Sequence, residues 1–508
     1  MCIFVKMNPL RLLKNNIDAL FAALVGMLLI IVFTTHGGVG ISPDSIYYKS
    51  AADSLMKGKG FYQFDDSPLI LFPLFYPSFL ALVQFIFRQD VIVFAPYLNG
   101  VLFAVAIFIS GCILEKINHA RWLKWILLVL IVASPGLLEI YTMLWSEGLF
   151  IVEILFFIWV GLFYFNSYSI KHLLLLAILA AVAFETRLAG ITIVITGGLL
   201  ILLAKEIEFY KKIKHIFIFG IIACSLISVN LIRNFLLSAS LTGTRQKGET
   251  PFAENVKHFG NVLIDWLPFS SSTKDYPFWT GLIFLLIISI IFIYRLSKNK
   301  QHSSLEKIAN TFTLVYALFM LLSATFSKYE TINNRLLAPF FIPCLFTLSF
   351  YLTGWFKLIR RPLLKISFLL FSILIGVATL LQYYKIDLDT YQENKEGGIG
   401  GYTDDDWVNS ETLGFIKKDR TIFQKRMPVY SNSSHAVYFY TGEHLSILPE
   451  KAHKKDLVKF NNLPQFVLIW LNNEDNESII TLEAIKQQQN LTILKEFKDG
   501  FIFQCSPK

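Results

Sequence analysis

The feature of this 508-residue chain that most restricts its fold is a series of eleven apolar stretches, separated by polar or basic segments. Most of them approach the roughly 20 residues that a helix needs to cross a bilayer core of about 30 Å. The first stretch lacks a small-residue cleavage site and the pattern recurs, so it is not typical of a signal peptide. With 54% hydrophobic and 16% charged residues, the chain lies outside the usual range of soluble proteins. We predict an all-α, polytopic membrane domain with about eleven transmembrane helices at 17–35, 91–114, 122–140, 148–165, 172–186, 189–204, 214–236, 277–295, 308–326, 336–354 and 366–384.

The distribution of Lys and Arg between the connecting segments predicts the orientation. The segments on the side of the N-terminus hold 19 Lys and Arg in 67 residues, and the opposite loops hold 11 in 116. Because cytoplasmic loops are enriched in these residues, we predict a cytoplasmic N-terminus and an exported C-terminus. Counting the proline-containing apolar segment 68–87 as a span would invert this pattern. We therefore expect it to be interfacial or partly re-entrant.

The composition of the chain changes after Tyr384. We predict a membrane domain at 1–384, with a long first outward loop at 36–90, and a small extracytoplasmic α/β domain at 385–508. Strands are expected at 427–430, 465–471, 491–497 and 500–505, and helices near 405–418 and 479–488. Five scattered cysteines and the spacing of the histidines give no metal-ligand pattern, so we expect no metal and no other cofactor.

The first outward loop contains a candidate catalytic residue, Asp44. Long ordered loops tend to be functional, and this one opens with a pattern typical of a short helix, Ser42-Pro43-Asp44-Ser45-Ile46-Tyr47-Tyr48. A carboxylate at the start of a helix can cap it and is favoured by the helix dipole. It can also act as a general base that takes a proton from an acceptor hydroxyl. Both roles are compatible, whereas Asp53, Asp65 and Asp66 are interpreted as ordinary exposed loop acids.

Ionisable residues cluster at the predicted outward ends of several spans. Because such residues are costly in the membrane region, each is a functional hypothesis. Arg187, Arg233 and Arg335 could bind the phosphate of a lipid carrier, since the guanidinium fork fits phosphate oxygens and stays protonated. Alternatively they extend to the interface, or pair with Glu185 and Glu330 as structural ion pairs.

Glu147 also lies at an outward end, within Trp145-Ser146-Glu147. It either positions a sugar or is a helix-starting carboxylate of the common kind.

Several short segments together resemble one family of membrane enzymes. They are the Asp-Ser-Ile-Tyr-Tyr helix after one span, Gly58-Lys59-Gly60, Pro73-Leu74-Phe75-Tyr76-Pro77, Ile232-Arg233-Asn234 and Asn334-Arg335-Leu336-Leu337-Ala338-Pro339. This order is similar to that of the GT-C glycosyltransferases, which use polyprenyl-phosphate-linked sugars and include protein mannosyltransferases and aminoarabinose transferases. The chain departs from many relatives at Ser45, where they carry a second acid, and at Phe72-Pro73, where they carry a double proline.

The resemblance implies transfer of a sugar from a polyprenyl-phosphate carrier to a lipid, glycan or protein acceptor outside the cytoplasm, with inversion. Asp44 would be the catalytic base. Arg335, Arg233 and Arg187 would hold the donor phosphate, and Glu147, Glu185 and Tyr47 would position sugar or acceptor. A bacterial inner membrane is the expected location, and nucleic acid is not an expected partner. The alternatives are a transporter or flippase of a lipid-linked sugar, and a polysaccharide polymerase or ligase.

Overall fold

The computed structural model describes residues 13–117, 121–243, 246–268, 276–297, 304–328, 330–424, 427–474, 476 and 478–508. Most of the predicted cytoplasmic tail, residues 1–12, lies outside them. The chain forms two compact units. The first comprises Met1–Phe33, Ile70–Tyr76 and Phe94–Gln392, and the second comprises Thr34–Leu69, Pro77–Val93 and Glu393–Lys508.

Helices form most of the described part of the first unit, which also has loops and one isolated β-bridge between Lys247 and Ser327. Its long and medium helices are Ile17–Phe33, most of Val91–Ile117, Arg121–Val132, Pro135–Thr142, Glu147–Ser167, Ile170–Thr186, Ile191–Leu203, Phe209–Ser238, Phe252–Asp265, Tyr276–Ser297, Ser304–Phe326, Asn334–Leu358 and most of Pro362–Gly397. Helix Glu147–Ser167 is apolar on all sides and almost entirely buried, as expected of a central helix. Helix Pro362–Gly397 buries only Gly376, Thr379 and Tyr383, so most of its apolar surface faces outward, as in a lipid-contacting helix.

Helices lie at all eleven positions where spans were predicted. Within the described residues, seven of them are long and apolar enough to cross a membrane, and the pair Arg121–Val132 and Pro135–Thr142 adds an eighth candidate if counted as one span. That pair is bent by 45°. Pro135 favours the break, because proline disfavours α geometry at the preceding residue, and Ser134 has ψ 115°. A polytopic helical protein is therefore confirmed, and the number eleven stays a prediction.

The second unit contains a five-stranded mixed sheet. Its strands are β1 (Val429–Ser431), β2 (Ser446–Ile447), β3 (Phe466–Leu471), β4 (Gln489–Phe497) and β5 (Gly500–Pro507), in the order β2-β1-β3-β5-β4. Strand β1 pairs in parallel with β2 and β3, whereas β5 is antiparallel to β3 and β4. The sheet packs around a core that includes Phe460, Phe466, Leu468, Ile485 and Phe503.

The helices of the C-terminal part of this unit are Asp405–Val408, Glu411–Lys418, Thr421–Gln424, Ser434–Thr441, Lys454–Asn461 and Leu482–Gln488. The four predicted strands and the helices near 405–418 and 479–488 are present. Three helices, Thr421–Gln424, Ser434–Thr441 and Lys454–Asn461, and the two-residue strand β2 were not predicted from the sequence.

The predicted helix that carries Asp44 is present as Pro43–Met56. Its N-cap is Ser42, whose backbone N–H donates to Ser45 Oγ at 3.1 Å. The N-cap role considered for Asp44 is therefore wrong, because Asp44 is the second residue of the helix. It keeps the position that the helix dipole favours for a negative charge.

The interpretation of Asp53 as an exposed loop acid is also wrong. Asp53 lies on the same helix, and its carboxylate is 2.6 Å from Lys49 Nζ and accepts a hydrogen bond of 2.8 Å from Gln84 Nε2. Lys49 also contacts Asp90 at 2.8 Å. Burial opposes the charge on Lys49, but Asp53 and Asp90 together raise its pKa. The Asp44 helix is thus joined to helix Phe75–Phe87, which has 13 residues and at about 1.5 Å per residue is too short to cross a bilayer.

His435 is expected to make the stability of the second unit depend on pH. Its pKa is lowered to about 4, because burial disfavours the charged ring more strongly than Asp65 favours it. Below about pH 6.5 the imidazole of His435 binds a proton in the unfolded chain but stays neutral in the folded chain. The free energy of unfolding therefore decreases as the pH falls towards 4. We expect a loss of about 3 kcal/mol at pH 4. Hydrogen exchange of helix Ser434–Thr441, corrected for intrinsic rates, should accelerate over this range. A His435→Gln variant should remove most of that pH dependence, and a wild-type exchange rate that stays constant from pH 7 to 4.5 would contradict the assignment.

Candidate functional site

A buried carboxylate joins two arginines in the first unit. Glu147 begins helix Glu147–Ser167, and its side chain is 1% exposed. Its Oε2 lies 2.6 Å from Arg187 Nη1, and its Oε1 accepts a hydrogen bond of 2.7 Å from Arg335 Nε. The three residues come from three separate segments, so one acid fixes two cations at the same place.

Arg187 lies at the junction between a helix and a tight turn. Arg187 ends helix Ile170–Thr186 in an extended conformation, with φ −147° and ψ 142°. A short turn follows, in which a Cβ on Gly190 would lie 2.3 Å from the Ala183 carbonyl oxygen, so only glycine fits. The Arg187 guanidinium also donates from Nη1 to Ser146 Oγ at 2.8 Å.

Arg335 is held from the first turn of helix Asn334–Leu358. The N-cap Asn333 accepts a hydrogen bond of 3.0 Å from the Leu336 N–H and so fixes the start of that helix. The guanidinium carbon of Arg335 lies 3.9 Å from the ring centroid of Trp145, a cation–π contact. Its Nη1 is 3.5 Å from Glu330 Oε1. The predicted ion pair with Glu330 is therefore present, beside the shorter contact to Glu147.

The three side chains of this cluster differ in their exposure to solvent. Arg187 is 15% and Arg335 is 12% exposed, whereas Glu147 is 1% exposed. A carboxylate that is withdrawn from water needs charged partners to offset its desolvation, and the two guanidinium groups supply them. Of these three side chains the two arginines are the more accessible, and the Arg335 guanidinium also contacts the exposed carboxylate of Glu330.

A second group of contacts holds the segment that follows Ile70. Glu185, the acid expected to pair with Arg187, accepts a hydrogen bond of 3.0 Å from the Leu74 N–H. Asn234 donates from Nδ2 to the Ile70 carbonyl at 3.3 Å and accepts a hydrogen bond of 3.0 Å from Arg233 Nη1. Arg233 also interacts electrostatically with Glu185. The ends of two helices thus fix the backbone beside the motif Pro73-Leu74-Phe75-Tyr76-Pro77.

Sequence analysis did not single out Glu153, a buried acid six residues after Glu147. It is 5% exposed, and its Oε1 accepts a hydrogen bond of 2.8 Å from Thr186 Oγ1, next to Arg187. An acid inside a strongly apolar span was the available signal. Trp145 was also missed as a contact, because nothing in the local sequence tells which residue its ring face meets.

Asp44 and Tyr47 lie in the second unit. Asp44 is half-buried. The ring of Tyr47 meets Phe64 and His435 edge-on, at centroid distances of 5.4 and 5.2 Å, and burial raises the pKa of its hydroxyl. The roles of these two residues stay predictions.

Among the described residues, no group of three or more His, Cys, Asp or Glu side chains could hold a metal ion. The absence of a cofactor also stays a prediction.

Replacing Glu147 by Gln should destabilise the protein, because two neighbouring guanidinium groups would lose the charge that offsets their repulsion and desolvation. We expect a loss of about 3 kcal/mol, seen as a Tm lower by several degrees in detergent. Glu330→Gln is the matched control: Glu330 is 43% exposed, and the Tm should barely change. Equal Tm values for Glu147→Gln and the parent would show that the cluster does not stabilise the fold.

Comparison with known proteins identifies a fold and no closer relationship. No family model matches the chain, and no curated protein matches its sequence. The crystal structure of ArnT from Cupriavidus metallidurans in the apo state has a TM-score of 0.56 at 12% identity, covering 94% of this chain and 96% of ArnT. The same protein bound to undecaprenyl phosphate gives 0.57 at 11% identity, covering 95% and 97%. ArnT is an aminoarabinose transferase of the GT-C superfamily, so the predicted resemblance is confirmed at the level of the fold.

Proposed function

We propose that this protein transfers one sugar from a polyprenyl-phosphate carrier to an acceptor at the extracytoplasmic face of the membrane. The observation that carries the proposal is the pair of arginines, Arg187 and Arg335, fixed on buried Glu147 at the ends of membrane helices. The fold of ArnT, a protein solved with undecaprenyl phosphate bound, agrees with it.

The arginine pair suits a phosphodiester that joins a sugar to a lipid. Guanidinium groups bind phosphate oxygens through two parallel hydrogen bonds and stay charged at any physiological pH. Because Glu147 holds both groups in place before the donor arrives, little reorganisation is needed when charge develops on the departing phosphate. Arg233, half-buried and bonded to Asn234, is proposed as a third contact to the donor.

Asp44 is proposed as the base that activates the acceptor. The acceptor oxygen attacks the anomeric carbon and forms a new C–O bond, while Asp44 takes the proton of the hydroxyl. The bond between the anomeric carbon and the phosphate oxygen breaks on the opposite face, so the configuration inverts and polyprenyl phosphate leaves. Tyr47 and Glu185 are proposed to orient the acceptor and the sugar.

The orientation in the membrane explains why the donor would be a lipid. We propose a bacterial inner-membrane protein with a cytoplasmic N-terminus, on the asymmetry of Lys and Arg between its loops. Activated nucleotide sugars are cytoplasmic, so an enzyme that faces outward needs a sugar already carried across the bilayer. A polyprenyl phosphate both carries the sugar across the bilayer and acts as the leaving group in the transfer.

The test is sugar transfer by the purified full-length protein from a synthetic polyprenyl-phosphate donor. We expect a glycosylated product and free polyprenyl phosphate in equal amounts. If the protein in lipid vesicles instead moves the intact donor from one leaflet to the other, without release of polyprenyl phosphate, it is a transporter. Turnover only with a polyprenyl-diphosphate donor would identify a polymerase or ligase.

A further inference from the structure

The backbone immediately before the Asp44 helix is hydrogen-bonded to the C-terminal segment of the same unit, residues Glu393–Lys508. The Tyr402 N–H donates to the Ile41 carbonyl at 2.8 Å, and Thr403 Oγ1 donates to the Val39 carbonyl at 3.1 Å. These four residues are all buried, so each carbonyl would lose its partner without gaining water if the contact were broken. Residues 39–41 are therefore fixed by residues 402–403, although more than 360 positions separate them.

Glycine at position 401 makes this contact sterically specific. Gly401 has φ +110°, a conformation that side chains disfavour, and a Cβ there would lie 2.4 Å from the Ile41 carbonyl oxygen. Its neighbour Gly400 has no atom within 4 Å of the equivalent position. Two adjacent glycines thus differ completely in how closely they approach the segment that leads to Asp44.

A second set of contacts reaches the face of the Asp44 helix. The ring of His435, on helix Ser434–Thr441, lies 5.2 Å from that of Tyr47 and 4.5 Å from that of Phe64. Tyr438, one turn further along, lies 6.0 Å from Phe64. The Asp44 helix is thus held both at its start and on one side, by two different parts of the C-terminal segment.

We infer that the C-terminal segment serves the reaction as a positioning element: the 401–403 linker and helix Ser434–Thr441 set the place of Asp44. This inference rests on the proposed function of Asp44 as the base. A base must lie within hydrogen-bond reach of the proton it takes, so a displacement of about 1 Å is expected to slow the chemical step without changing donor binding.

The experiment compares Gly401→Ala with Gly400→Ala in the full-length protein. We expect Gly401→Ala to lower kcat roughly 10- to 100-fold, with an unchanged KM for the donor and unchanged affinity for undecaprenyl phosphate. Gly400→Ala should match the parent in all three. Tm is measured for each variant, because a merely structural role would lower Tm, kcat and affinity together. An unchanged kcat in Gly401→Ala would overturn the inference.

If Gly401→Ala does not fold, a second pair of variants tests the same inference. Thr403→Val removes the hydroxyl that bonds the Val39 carbonyl and keeps the shape of the side chain, whereas Thr403→Ser keeps the hydroxyl. We expect a kcat several-fold lower in Thr403→Val, at parental affinity for undecaprenyl phosphate, and recovery in Thr403→Ser. Equal kcat values for the two variants would overturn the inference. If the parent itself transfers no sugar but binds the lipid, the proposed function fails, and that result is distinct from either outcome.

Discussion

The Asp44→Asn variant is expected to bind the donor normally and to transfer almost no sugar. Asparagine has nearly the same size and keeps the place of Asp44 in the first turn of helix Pro43–Met56, but it cannot accept the proton of an attacking hydroxyl. We expect kcat to fall by roughly 10²- to 10⁴-fold, the usual contribution of a general base. The measurement is single-turnover sugar transfer together with equilibrium binding of undecaprenyl phosphate.

Asp66→Asn is the matched control for this substitution. Asp66 lies in the same predicted outward loop and has φ +62°, which asparagine tolerates well, and its exposed carboxylate lies 3.2 Å from His444. It should retain parental turnover. If Asp44→Asn turns over as fast as Asp66→Asn at equal Tm, then Asp44 is not the base.

The Arg335→Ala variant is expected to lose affinity for the lipid donor. A charge-assisted hydrogen bond contributes about 1.5 to 3 kcal/mol, so removal of the guanidinium should weaken the binding of undecaprenyl phosphate by roughly 10- to 100-fold. Lys328→Ala is the control, because Lys328 is a more exposed cation close by in sequence, paired with Glu249 at 3.4 Å. Its donor affinity should stay within about twofold of the parent.

A double variant separates donor binding from stability in the same cluster. Arg335→Ala leaves Glu147 with Arg187 as its remaining arginine from this cluster, so Tm should fall as well as affinity. Adding Glu147→Gln removes the buried charge and should restore part of the Tm, but it should not restore the affinity for undecaprenyl phosphate. Recovery of affinity in the double variant would show that Arg335 acts only by neutralising Glu147.

The two clusters described in the first unit have different tasks in this scheme. Glu147 offsets the charge of two arginines that are proposed to meet the donor, whereas Glu185 bonds a backbone N–H in the segment Ile70–Tyr76. A Glu185→Gln variant can still accept that bond through its amide oxygen. The distinction shows why two acids near one predicted membrane face are not interchangeable.

The sequence by itself determined the helical membrane class, the positions of the long helices, the helix that carries Asp44 and four of the five strands. These follow from local rules, since periodicity, length and turn residues act over a few neighbouring positions. Arg187, Arg335 and Glu147 were each recognisable as ionisable residues at span ends.

Only the tertiary structure decided that Glu147, rather than Glu185, joins Arg187 to Arg335, and that Lys49 pairs with Asp90 and Asp53 with Gln84. It also decided that residue 402 bonds residue 41. Such contacts depend on which ends of distant helices meet after packing, and a buried charge selects its partner by that geometry. The spacing of residues along the chain does not predict these long-range contacts.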